Sequence, residues 1–169
     1  VYKRQIEAYE REEQGRPAEP DSQEMKTMRD VPASRITEKV KELYLRASYH
    51  ASDDLIARLE EARGREKSET GRAVLDMILE NNRIAAAEEI AICQDTGMAI
   101  LFIELGQEVH VTGGDFREAV NEGVRAAYDR GYLRKSVVDD PVFERKNTKD
   151  NTPAVIYTDI VPGDRIRIM

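Results

Sequence analysis

The sequence predicts an α+β fold: an N-terminal layer of helices followed by mixed β-strands packed with helices. Apolar residues recur at helical spacing through three successive segments before residue 90. From Ile90 the texture changes to short apolar or alternating runs. A helical segment with its own start and stop signals then separates the first pair of runs from the last pair.

Ile6 to Gln14 is charged and helix-prone, and residues 15–26 (GRPAEPDSQEMK) read as a linker, because prolines and charge leave little to bury. Residues 1 to about 28 are therefore excluded from the folded unit, which is expected to span residues 29–169. The opening VYKRQ resembles a translated sequencing adapter, and the chain stops within a strand-like alternation. A fragment is expected, truncated at its C-terminus, with Met25 or Met28 as the natural start. The first helix begins at Ser34 and turns Ile36, Val40, Leu43, Tyr44 and Ala47 to one face. Ser52 caps a second helix carrying Leu55, Ile56 and Leu59, closed by Gly64. A third runs from about Glu69 to Glu89, with Val74, Leu75, Ile78, Leu79 and Ile84 inward.

Met98 to Leu105 (MAILFIEL) has strand composition and is apolar enough to lie inside a sheet. Glu108 to Thr112 alternates as a second strand, after a turn signal at Gly106-Gln107. Asp115 followed by Glu118 resembles a capping box for a helix that buries Phe116, Ala119, Val120, Val124 and Ala127 and ends at Gly131. Ala154 to Ile160 and the run from Arg165 are further strands, with Pro162-Gly163-Asp164 turning between them.

Of the 169 residues 40% are hydrophobic and 35% charged, which places the chain among globular proteins. A net charge of −7 without a long basic run argues against a nucleic-acid surface. The longest apolar run, Met98 to Ile103, is too short to span a bilayer, and nothing resembles a secretory signal. One cysteine forms no internal disulfide, which fits a reducing cytoplasm.

That cysteine, Cys93, stands in ICQDTGMAI at the helix-to-strand junction. A free cysteine is most often a small buried hydrophobe. An amide, a carboxylate and a hydroxyl directly after it suit a reactive or metal-bound thiolate better. A cysteine nucleophile needs a base, and only His50 and His110 are available. His50 also reads as a helix-end cap, and His110 as a solvent-facing strand residue. One cysteine supplies one ligand, so any metal centre needs ligands from elsewhere. Arg134 and Lys135 follow the helix-ending glycine; they suit a carboxylate ligand or merely complement the helix C-terminus. The polar stretch 145–153 (RKNTKDNTP) reads as a third island or as a surface loop.

ICQDTGMAI, NEGVRAAYDRGYLRKSVVDDP and NTKDNTPAVIYTDIVPGD, in this order, resemble the N-terminal region of the class I, iron–sulfur-dependent fumarate hydratases. The α subunit of L(+)-tartrate dehydratase is the close relative. The resemblance covers about Arg35 to Met169 and favours the two-subunit form. It implies a hydro-lyase of the tricarboxylic acid cycle that hydrates fumarate to L-malate, with tartrate conversion to oxaloacetate as the alternative substrate reading. It also implies a 4Fe-4S cluster held by three cysteines, of which Cys93 matches one and the other two lie outside this chain. By the same resemblance Gln94 hydrogen-bonds substrate, Asp95 moves a proton at substrate C3, and Arg134 grips a substrate carboxylate. Thr96 and Gly97 shape the turn, while Lys135, Asp139 and Asp140 match the motif without an assigned role. A β subunit or C-terminal domain would complete the site on a small dicarboxylate, within a cytoplasmic oligomer, and the fragment alone would be inactive. A non-catalytic interaction domain, with Cys93 in its core and Arg134 as a helix cap, is the rival. The catalytic reading requires Cys93, Gln94, Asp95 and Arg134 in one polar site, with the sulfur and the guanidinium facing one open concavity.

Overall fold

The computed structural model describes residues 28–95 and 97–169. The helix-prone stretch 6–14 and the linker 15–26 lie outside the described residues, as does Thr96. In chain order the elements are β1 (Arg29–Pro32), α1 (Ala33–Tyr49), α2 (Asp53–Arg65), α3 (Glu69–Glu88), β2 (Ile100–Gly106), β3 (Val109–Thr112), α4 (Phe116–Arg130), β4 (Val138–Asp139), β5 (Lys146–Asn147), β6 (Val155–Val161) and β7 (Ile166–Ile168). This is the expected α+β class.

Two helices open on side-chain caps, of which the sequence predicts the one at Asp115. Ser68 Oγ accepts from Gly71 N at 3.2 Å, opening α3. Asp115 Oδ1 accepts from Glu118 N at 2.8 Å, opening α4. Only this half of the expected capping box is built, because the Glu118 carboxylate pairs with Arg125. Ser52 holds the N-cap position of α2 without a side-chain bond to the backbone. Gly64 does not close α2, which runs one residue further.

β2 is the central strand of a three-stranded sheet ordered β6-β2-β7. It pairs parallel with β6, Phe102 opposite Tyr157, and antiparallel with β7, Leu105 opposite Ile166. The parallel pairing is possible because α4 lies between β2 and β6 in the chain and crosses back over the sheet. At the far end of β2 a Cβ on Gly106 would stand 2.2 Å from the Gly163 carbonyl oxygen, so only glycine lets the Pro162–Asp164 turn close against the strand. β1 is too short for a sequence signal, yet it pairs parallel with β3 from Arg29↔Val109 to Pro32↔Thr112.

The core joins α1, α4 and the inner face of β2. Ile36, Val40, Val120, Val124, Tyr128, Ala99, Leu101 and Ile103 form one buried cluster, with Leu133 and Ala154 beside it. Thr37 Oγ1 crosses between the helices to Ala119 O at 2.9 Å. The outer face of β2 stays open: Ile100 and Phe102 are each 52% exposed, and Phe102 stacks on Tyr157.

Several positions expected to face inward do not. Leu43, Ala47, Leu55, Val74 and Ile78 are exposed. α2 buries no residue fully and α3 only Ala85. These two helices pack mainly on each other, so each covers one narrow stripe of its apolar face. The helical layer is thus a buried α1 and a peripheral α2–α3 hairpin. No helix among the described residues is long and apolar enough to cross a membrane.

Candidate active site

The segment between α3 and β2 is held by hydrogen bonds at both ends. Ile92 N donates to Ser48 O on α1 at 3.0 Å, and Asn81 Nδ2 on α3 donates to Ile92 O at 2.8 Å. At the other end Gly97 takes φ +55°, a left-handed conformation that glycine adopts without a Cβ clash. Its carbonyl accepts two hydrogen bonds, from Tyr128 Oη at 3.0 Å and from Asn151 Nδ2 at 2.9 Å. Tyr128 is fully buried, and its hydroxyl lies 2.6 Å from that of Tyr44. Burial, and then the bond to Tyr128, push the Tyr44 phenol far above its ordinary value, so it stays protonated and neutral.

Between these anchors Cys93, Gln94 and Asp95 are exposed. Cys93 is not a core thiol; its Sγ lies 3.5 Å from Asp95 O as a weak donor. Arg134 comes from the end of α4. Gly131 N closes the helix on Ala127 O at 2.8 Å, and Leu133, only 4% exposed, anchors the chain in the core. The next residue turns outward, and Arg134 Nη2 lies 3.4 Å from Asp95 Oδ1. The fold thus joins two of the sequence-selected groups across 39 positions of chain. Both partners are more than half exposed, so their attraction is worth about 1 kcal/mol or less.

The other candidates go elsewhere. His50 caps α1, with its N–H on Arg46 O at 2.9 Å. His110 Nδ1 lies 3.0 Å from Asp30 Oδ1 on the β1–β3 ribbon. Lys135 pairs with Asp129, and Asp140 Oδ1 accepts from Val142 N and Phe143 N to close a turn. These are structural duties for motif residues that carried no assignment. Four surface clefts are lined by other residues and do not reach Cys93 or Arg134. Cys93 and Arg134 are both exposed at the surface.

The stretch 145–153 is more than a surface loop. Asn151 is fully buried, and its amide reaches both the Gly97 carbonyl and the backbone after Arg134. Sequence reasoning missed it. The available signal was an asparagine directly before Thr-Pro in a turn-rich stretch, which a solvated loop explains equally well.

The family model for fumarate hydratase (Fumerase) matches residues 37–169, more than half of the chain and every residue of this site. The chain belongs to the fumarate hydratase family. A provisionally named L(+)-tartrate dehydratase subunit alpha of Methanocaldococcus jannaschii is 35% identical over 69% of the chain. The anaerobic class I fumarate hydratase of Escherichia coli K12 is 36% identical over 62% of it. The L(+)-tartrate dehydratase subunit alpha of Escherichia coli UTI89 is 28% identical over 80%. The chain spans 41%, 19% and 45% of these three relatives respectively.

Against the cluster implied by the family resemblance, the described donors fit one corner. Cys93 is an exposed soft donor on a turn fixed at both ends. Among the described residues no group of three or more Cys, His, Asp or Glu side chains could hold a metal ion.

Proposed function

We propose that this chain is the α-type part of an iron–sulfur hydro-lyase acting on a four-carbon dicarboxylate. The observation that carries the reading is the meeting of Asp95 and Arg134 beside an exposed Cys93, within the region matched to the fumarate hydratase family. Cys93 would supply one thiolate to a 4Fe-4S cluster completed by two cysteines outside this chain. When bound, such a cluster with an open iron supplies a Lewis acid for the hydroxyl that is added or removed.

The remaining work belongs to side chains. Arg134 presents a planar fork of N–H donors, which matches a substrate carboxylate in bidentate fashion. Its exposed contact with Asp95 is weak enough for substrate to displace it. Asp95, so released, would accept the proton at substrate C3 in dehydration and return it in hydration. The Gln94 amide would donate to the substrate and fix its orientation. A partner β subunit or C-terminal domain would close over this open surface and supply the missing wall of the site. Fumarate/malate is the first substrate reading. L(+)-tartrate is the second, favoured by the larger share of the chain matched in the α-subunit relatives.

The test is a complete enzyme, the full α chain assembled with its partner and reconstituted anaerobically, assayed on L-malate and L(+)-tartrate. Cys93→Ser should lose the cluster absorbance with folding intact. Asp95→Asn should keep the absorbance and lose turnover. Arg134→Lys should raise KM about tenfold to a hundredfold, because a point charge replaces a fork. Full cluster occupancy in Cys93→Ser, or wild-type turnover on neither substrate, would sink the reading.

A further inference from the structure

We propose that Asn151 is the positioning residue of this site, fixing the loop of Cys93 and Asp95 against the loop of Arg134. The role rests on the function proposed above; the geometry does not.

Asn151 is 0% exposed, and its backbone lies at φ +62°, in the left-handed region that asparagine tolerates better than most residues. Its amide is spent on three hydrogen bonds. Oδ1 accepts from Ser136 N at 2.7 Å and from Val137 N at 2.8 Å. Nδ2 donates to Gly97 O at 2.9 Å. The orientation of the amide is settled by its partners, since a flipped group would set an NH2 against two N–H donors. Ser136 lies two residues after Arg134, and Gly97 two residues after Asp95. One buried side chain therefore bridges the backbones that carry the two reacting groups. Leu133 and Ala99 anchor the same loops in the core.

The exposed Asp95–Arg134 contact cannot set that spacing. It is solvent-screened, and substrate must break it. A buried bridge persists whether or not substrate is bound. The second donor to Gly97 O, Tyr128, comes from α4 and ties the Cys93 loop to the helix that delivers Arg134.

The chemistry of asparagine separates the two halves of the bridge. Asn151→Asp keeps the shape and both acceptor bonds to the Arg134 loop. It replaces the donor with an oxygen that faces the Gly97 carbonyl and repels it. Asn151→Gly suits the left-handed backbone and removes both halves.

The experiment has two arms. In the full 169-residue chain, amide order parameters and hydrogen exchange are measured by NMR. Asn151→Asp should lower the order parameters of Asp95 and Gly97 while Ser136 and Val137 stay protected. Asn151→Gly should also speed exchange at Ser136 and Val137 by roughly fivefold or more. In the complete enzyme, Asn151→Asp should lower kcat by about a hundredfold with little change in KM, because Arg134 stays in place while Asp95 drifts by about 1 Å. Asn151→Gly should raise KM as well. If Asn151→Asp does not fold, Tyr128→Phe removes the other donor to Gly97 O and should loosen Gly97 in the same direction. Unchanged order at Asp95 and Gly97, or variants that lose only stability at unchanged kcat and KM, overturn the bridge even if the wild type turns over. Amides that respond as expected in a chain whose complete enzyme has no turnover uphold the bridge and remove the function proposed above.

Discussion

Gly64 and Gly123 are both helical, and replacing each by alanine should move stability in opposite directions. At Gly64 in α2 an added Cβ meets nothing within 4 Å. Alanine there gains helix propensity and restricts the unfolded chain, stabilising by about 0.5–1 kcal/mol. At Gly123 in α4 the same Cβ would stand 2.7 Å from Thr37 O and 2.7 Å from Val40 Cβ on α1. These atoms belong to the backbone or its first branch and cannot rotate aside. Ordinary contact begins near 3.4 Å, so the helices must part by about 0.7 Å, the difference between 3.4 and 2.7. Such a shift would stretch the 2.9 Å bond from Thr37 Oγ1 to Ala119 O beyond hydrogen-bonding length. Overpacking costs about 1–3 kcal/mol and the lost bond about 1, against about 1 gained in propensity. The net loss is about 1–3 kcal/mol, which lowers Tm by about 3–9 °C in a chain of this size. Thermal melts by circular dichroism and urea midpoints at constant m report it. Gly123→Ala as stable as the wild type would refute the close approach of α1 and α4, and with it the packing that sets Tyr44 against Tyr128.

Asp150 gives a pH signature. Burial opposes its charge, but the amide and hydroxyl of Thr152 and then Arg125 outweigh burial and hold its carboxyl below the ordinary value of 3.8. Its contribution is therefore complete above that value and fades as pH falls through the lower folded value. Asp150→Asn should destabilise at about pH 6, and the difference from wild type in urea midpoint should shrink on approach to about pH 3; a pH-independent difference would contradict the assignment. Asn121→Ala strands the buried Ala154 N, which donates to Asn121 Oδ1 at 2.9 Å, and should cost about 1–3 kcal/mol in urea unfolding, with Asn121→Asp recovering part of the loss. Ser68→Ala removes the α3 cap and should cost about 1 kcal/mol in the same assay.

The sequence by itself determined the elements and the chemistry on offer. The periodicity from Ser34 to Glu89, the cap at Asp115, and the apolar runs that became β2 and β6 are local signals, carried by residues a few positions apart. The family was legible for a related reason: its three motifs are contiguous stretches whose order survives without any knowledge of the fold. Tertiary structure decided what each element meets. Val74 and Ile78 share the helical period of Val40, yet they face solvent because the α2–α3 hairpin packs mainly on itself. Whether β2 would find β3 or β6 depended on where α4 crosses, and no residue of β2 states that. Gly64 and Gly123 look alike in the sequence, and only the proximity of α1 gives the second its constraint. Asn151 is the clearest case. As a letter it is one more polar residue in a turn. As a buried amide it joins backbones 54 and 15 positions away, because burial obliges it to find hydrogen-bond partners and the fold brings those two loops within its reach.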